Sequence, residues 1–221
     1  MAATFITAEL FRFFRSLARN NDRAWFEQNK QRYIDVVRDP LCGFVEAVGP
    51  KLRAISPAVV ADPRPVGGSV FRIYRDTRFS KDKRPYKTAA GLVFRMGPKG
   101  SGAPTFYLQL SPGDVFAGIG VWHPPAEQLL AIREAIASNP TAWKRAARGG
   151  LRGEPALKRV PRGFDPDHPH ADDLRRKSFS IASAFTEEQA CAGDFMARFV
   201  RACRSGMPLA RFLAEATGFD V

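Results

Sequence analysis

The hydrophobic period of this chain changes along its length, and that change limits the folds open to it more than any other feature. Over 7–19, Leu10, Phe11, Phe13, Phe14 and Leu17 recur at the spacing that gathers side chains on one face of a helix. Over 105–110 the pattern becomes alternation, with Phe106, Leu108 and Leu110 facing one way, as in a strand covered on one side. Beyond Pro124 and Pro125 the helical period returns in Leu129, Leu130, Ile132 and Ile136. Helices at both ends and consecutive strands between them predict a single α+β domain. Its antiparallel sheet should hold about four to six strands, the usual number, flanked by N- and C-terminal helices.

Turn residues divide the chain further. Residues 1–55 read as the helical N-terminal part. In it Thr7 can cap the first helix, a second begins near Asp22 with Trp25, Phe26, Tyr33, Ile34 and Val37 on its apolar side, and Asp39-Pro40 marks a boundary or kink. The prolines and glycines of 56–68 separate this part from a β-meander over 69–122, with strands at 70–74, 89–95, 105–110 and 114–122. Helices occupy 124–148. Residues 149–185 are irregular, with one short strand near 157–160 and a return strand at 177–185. C-terminal helices fill 186–221, the first running to Arg204 and the last over 208–217. Trp25 and Phe26 belong to the core, which leaves Arg23 beside them without a packing reason.

Eighteen Phe and 45% hydrophobic residues in 221 supply a core, so the formal charge of +12 does not imply disorder. That charge favours encounter with anions over a distance set by salt. Cys42, Cys191 and Cys203 are odd in number and lack C-x-x-C spacing. On one helix the last two would lie about 18 Å apart, too far to bridge. The start MAATFITAEL lacks the basic and apolar segments of a signal peptide, and no window is apolar enough to span a bilayer. Reduced thiols in a cytoplasmic protein that does not enter a membrane are the expectation.

The densest chemistry lies in residues 71–88, FRIYRDTRFSKDKRPYKT, where Arg72, Arg75, Arg78, Lys81, Lys83, Arg84 and Lys87 face only Asp76 and Asp82. Guanidinium forks match phosphate and carboxylate oxygens, and Tyr74, Phe79 and Tyr86 supply flat faces. The segment predicts an anionic ligand or nucleic acid bound by Arg72, Arg75, Arg78, Lys81 and Lys87. Tyr74 and Tyr86 would orient or stack on it, and Asp76 would support the arginines. On a strand, Arg72 and Tyr74 would look outward, with Phe71 and Ile73 on the other face. The plain alternative is a solvated surface whose arginines pair with nearby carboxylates. An enzyme on a small anionic substrate would use the same arginines as a clamp, with Asp76, Tyr74 or His123 moving the proton. A protein-interaction module meeting an acidic partner is the third reading.

NNDRAWFEQNKQRY, RIYRDTRFSKDKRPYKT, AGIGVWHP, LLAIREAI, VPRGFDPDHP and LRRKSF together resemble the family called domain of unknown function 2461 over nearly the whole chain. The resemblance carries no established activity with it. Two departures from the family pattern are Arg84, in place of a smaller polar residue, and Ala117-Gly118-Ile119-Gly120, in place of a more glycine-rich run.

Other patterns are weaker. Ser80-Lys81-Asp82-Lys83 has the S-x-x-K spacing, yet it sits in a charged loop before Pro85 and not at the start of a buried helix. Asp165, Asp167, His168, His170, Asp172 and Asp173 offer metal ligands without one-turn His spacing, and Asp172 or Asp173 capping a short helix is the preferred reading. Gly97-Pro98-Lys99-Gly100-Ser101-Gly102 reads as a hairpin turn rather than a phosphate loop. Gly118 and Gly120 within a strand suggest a close approach of backbone or ligand, or a bend beside Trp122. No cofactor and no metal is expected.

Overall fold

The computed structural model describes residues 4–221, so the first three residues of the expected 1–55 part lie outside it. Helix α1 (Ala8–Arg19) buries Leu10, Phe11, Phe13, Phe14 and Leu17, the five residues of the apolar period. Thr7 precedes it in extended conformation but makes no side-chain cap; Glu9 in the first turn instead engages Arg12 and Arg32. Helix α2 (Arg23–Tyr33) begins where the sequence predicts, and the Asp22 carboxylate caps it, accepting the Trp25 N–H at 2.9 Å. The break expected at Asp39-Pro40 is a widened turn. Pro40 has no N–H to return to a carbonyl one turn back, and its ring crowds that carbonyl. The chain accommodates this with a π turn over Ile34–Arg38 before α3 (Asp39–Arg53), which has Pro40 in its first turn.

Four strands form one antiparallel sheet in sequence order: β1 (Ala90–Arg95), β2 (Thr105–Ser111), β3 (Asp114–Val121) and β4 (Phe179–Phe185). The register sets Leu92 opposite Leu108, Phe94 opposite Phe106, and Phe106 opposite Ile119, so one face is continuously apolar and fully buried. Helices α1, α3 and α8 (Phe195–Ser205) cover it. A second cluster gathers Val121, Phe179 and Leu209 around the fully buried Trp143, beneath α4 (Ala126–Ser138), α5 (Pro140–Ala146) and α9 (Met207–Thr217). Val93 and Phe116, on the opposite face, belong to neither cluster. The helices therefore lie on one side of the sheet.

Several elements differ from expectation. Residues 70–74 do not form a strand; they make two isolated bridges, Val70 with Leu92 and Tyr74 with Tyr86. The second is flanked by Arg75 N–H to Pro85 O and Lys87 N–H to Ile73 O, both 2.8 Å. The next rung would need an N–H from Pro85, so the ladder ends there. Phe71 is 40% exposed rather than buried with Ile73. The stretch 157–160 is not a strand either; the Ala156 and Leu157 amides dock on the Arg175 carbonyl. Asp172 and Asp173 do not cap α6 (Ala171–Leu174). Instead Asp173 accepts from Trp143 Nε1 at 2.7 Å and Arg176 Nε at 3.1 Å, while Arg133 donates to the carbonyls of Leu174 and Arg176.

The helix expected from Thr186 to Arg204 is broken at Gly193 into α7 (Glu187–Cys191) and α8, which puts Cys191 and Cys203 on different helices as free thiols. Its start is as expected, with Thr186 and Gln189 closing a reciprocal capping box. At the joint of α8 and α9 a Cβ on Gly206 would lie 2.7 Å from the Ile119 Cβ, so glycine lets this corner press against β3. No helix among the described residues is long and apolar enough to cross a membrane.

Candidate anion-binding surface

The segment 71–88 leaves the N-terminal helices, crosses the edge of β1 and enters it, held at regular points by buried side chains. Ile73 and Tyr86 are 5% and 3% exposed. The Tyr86 ring stacks on Phe26 at 4.1 Å, and Tyr74 leans on both at 5.4 and 6.2 Å. Asn21, at the corner between α1 and α2, brackets the Tyr86 backbone: its amide donates to the carbonyl and its oxygen accepts the N–H, each at 3.0 Å. Tyr86 is thus an anchor of the segment rather than a face open to a ligand. Burial pushes its phenol pKa up. Arg23, exposed in the first turn of α2, adds a further cation beside it.

Outside these anchors the charges are partly organised among themselves. Asp76 takes the Arg78 N–H, Nε and Nη2 at 3.2, 3.0 and 2.7 Å. Asp82 repeats the arrangement with Arg84 and also receives Arg75 Nη1 at 2.7 Å. These arginine hydrogen bonds hold both carboxyls below their ordinary pKa. Lys83 donates to the Thr77 carbonyl and Lys87 to that of Arg72. Burial, then the nearby Arg72, lowers the Lys87 pKa. Among the described residues Arg72 and Lys81 form no ion pair. Seven cations against two carboxylates leave the segment with unmatched positive charge. Beside it Tyr74 is 46% and Phe79 95% exposed.

Alongside this segment runs a feature the sequence did not disclose. Lys87 Nζ sits 5.4 Å from the Phe71 ring, Phe71 lies 6.1 Å from Tyr107, Tyr107 lies 5.8 Å from Phe116, and the Arg152 guanidinium covers Phe116 at 3.6 Å. These residues come from the segment before β1, from β2, from β3 and from the loop beyond α5. No local motif joins them, and only the alternation in β2 and β3 foretells that Tyr107 and Phe116 face away from the helices.

The acid–base candidates are not brought together. Asp76 is clamped by Arg78. His123 follows β3 at the end of the sheet where Arg95 and Thr105 pair, whereas the basic segment joins the sheet at Ala90, the other end. His123 adopts φ 46°, its backbone N–H bonded to Ser178 Oγ and its ring against the exposed Trp122. Ser80 closes a turn on the Thr77 carbonyl, away from any helix start. Gly97 to Gly102 form the hairpin between β1 and β2. His170 Nδ1 approaches Asp173 at 3.4 Å, and among the described residues no three His, Cys, Asp or Glu side chains gather as metal ligands would. An open groove of about 450 Å³ lies between α1 and α7, lined by Phe11, Glu187, Glu188 and Cys191. It carries carboxylates, and no residue of the basic segment lines it.

The family model described as "Conserved hypothetical protein (DUF2461)" matches residues 9–212. Among curated proteins, none matches the chain.

Proposed function

The chain belongs to this family of conserved hypothetical proteins, and on that premise we propose that it binds a phosphorylated or otherwise anionic partner, nucleic acid among them, through residues 72–87. The observation that carries the reading is the charge balance: both aspartates of the segment are already taken by arginines, and Arg72 and Lys81 remain without a carboxylate. Arg75 and Arg78 keep further N–H groups beyond those their aspartates use, because a guanidinium has five. The anchors add to this. A segment pinned by Asn21 and by the Phe26–Tyr86 stack loses little freedom on binding, so more of each phosphate contact remains as affinity. Arg72 and Lys81 are the leading donors, Arg75 and Arg78 the supporting ones, and Tyr74 the exposed ring. Lys87 contributes less as a donor because its ammonium is already on the Arg72 carbonyl.

Titrating a labelled oligonucleotide, used as a polyanion, across sodium chloride concentrations tests this. Affinity should fall with a log–log slope proportional to the phosphates neutralised, and Arg72→Gln with Lys81→Gln should reduce that slope by about 1.5. An unchanged slope in the double variant, or no binding at about 50 mM salt, refutes the reading.

A further inference from the structure

The face of the sheet turned away from the helices carries aromatic rings where a solvated face would carry polar side chains. Tyr107, half-buried, and Phe116, buried beneath the Arg152 guanidinium, lie on it outside both apolar clusters, and Phe71, 40% exposed, reaches it from the neighbouring edge. Neighbouring ring centroids are 6.1 and 5.8 Å apart, with Lys87 at one end of the row and Arg152 at the other.

Two glycines on this face differ in a telling way. At Gly91 a Cβ would stand 2.7 Å from the Tyr107 hydroxyl and 3.0 Å from the Phe71 ring, so glycine there is explained by the rings lying down on the sheet. At Gly118, between Tyr107 and Phe116, a Cβ would meet nothing nearer than the Phe116 ring at 3.5 Å, and its φ is not positive. The chain's own packing therefore gives no reason for the low floor at Gly118. A glycine inside a strand often marks the close approach of another body.

We propose that this face takes the unpaired bases of a single-stranded nucleic acid, stacked along Phe71, Tyr107 and the Arg152 guanidinium that covers the buried Phe116, while its backbone follows the cations. The inference rests on the anionic-partner reading and specifies that partner. Stacking accepts any base because every base has a flat face, and an arginine plane such as that of Arg152 serves as well as a ring. A duplex hides those faces. The match of charge selects this occupant: the row ends in two cations and adjoins a segment rich in unmatched positive charge.

The test compares a fluorescent oligouridylate of about 12 nucleotides, within the usual site size of single-strand-binding folds, with a duplex of equal length. The single strand should bind more tightly. Gly118→Val, which raises the floor with a side chain suited to a strand, should lower single-strand affinity about tenfold and keep both the salt slope and the melting temperature. Should that variant fold poorly, Phe71→Ala removes the partly exposed ring at the edge and should weaken single-strand binding in the same way.

Equal binding of both oligonucleotides, unaltered in either folded variant, overturns the base platform while leaving phosphate binding in place. Absence of binding to either at low salt overturns both readings. Self-association that Gly118→Val abolishes assigns the face to a second copy of this chain and overturns the proposal.

Discussion

Replacing Asn21 with alanine should loosen the basic segment from the helices and cost stability out of proportion to its size. The Asn21 amide makes two hydrogen bonds, both 3.0 Å, to the N–H and C=O of Tyr86, a residue only 3% exposed. Alanine removes the donor and the acceptor together and leaves two backbone groups unpaired where the stacked Phe26 and Tyr86 rings restrict water. At about 1–1.5 kcal/mol for each net bond, the loss is about 2–3 kcal/mol. For a domain of this size that lowers Tm by about 5–10 °C. Asn21→Asp keeps the acceptor and loses the donor, so it should fall between alanine and the parent. Urea denaturation gives the free energy. Amide exchange adds locality, because the Arg75 and Lys87 N–H groups that hold the Tyr74–Tyr86 bridge should exchange faster, while those of β2 and β3 should not. A loss below about 0.5 kcal/mol, the ordinary size of a surface substitution, would refute the account of the bracket as the segment's anchor.

Gly206→Ala should destabilise by about 1–3 kcal/mol, since the new methyl would lie 2.7 Å from the Ile119 Cβ in a corner with no slack, and thermal unfolding reports it. Trp143→Phe keeps the ring in the second core but takes the indole N–H from Asp173; a loss of about 1–2 kcal/mol in chemical denaturation is expected, and a neutral result would show that Arg176 alone satisfies Asp173. Burial raises the Tyr33 phenol from 10 to about 12. Because the folded value lies above the unfolded one, its contribution to stability is complete below pH 10 and is lost as pH rises through about 12. Tyr33→Phe should therefore flatten the alkaline fall in stability, read as Tm against pH, and an unchanged alkaline limb would count against the assignment.

Much of this architecture is written in short stretches of sequence. The α1 period, the alternation in β2, the start of α2 near Asp22 and the Thr186 cap each act within one or two turns or along one strand, so they are visible without knowing the neighbours. The errors fall where a distant group decides. Residues 70–74 have strand composition, but their partners are split, Val70 bridging Leu92 of β1 and Tyr74 bridging Tyr86 of the returning segment, so no continuous ladder forms. Asp173 reads as a cap, but α6 starts two residues before it, and its carboxylate turns instead to Trp143, thirty residues earlier.

The candidate site divides in the same way. That residues 71–88 carry seven cations and two carboxylates is a property of the sequence, since covalent neighbours cannot escape one another's field. Which cations those carboxylates use is decided by the turns at Asp76 and Asp82, and these leave Arg72 and Lys81 over. The row from Lys87 to Arg152 exists only in three dimensions, because strand register and the crossing of two loops bring together residues that share no local pattern. Local periodicity and charge are set by bonds along the chain, whereas pairing and juxtaposition are set by what packs from far away.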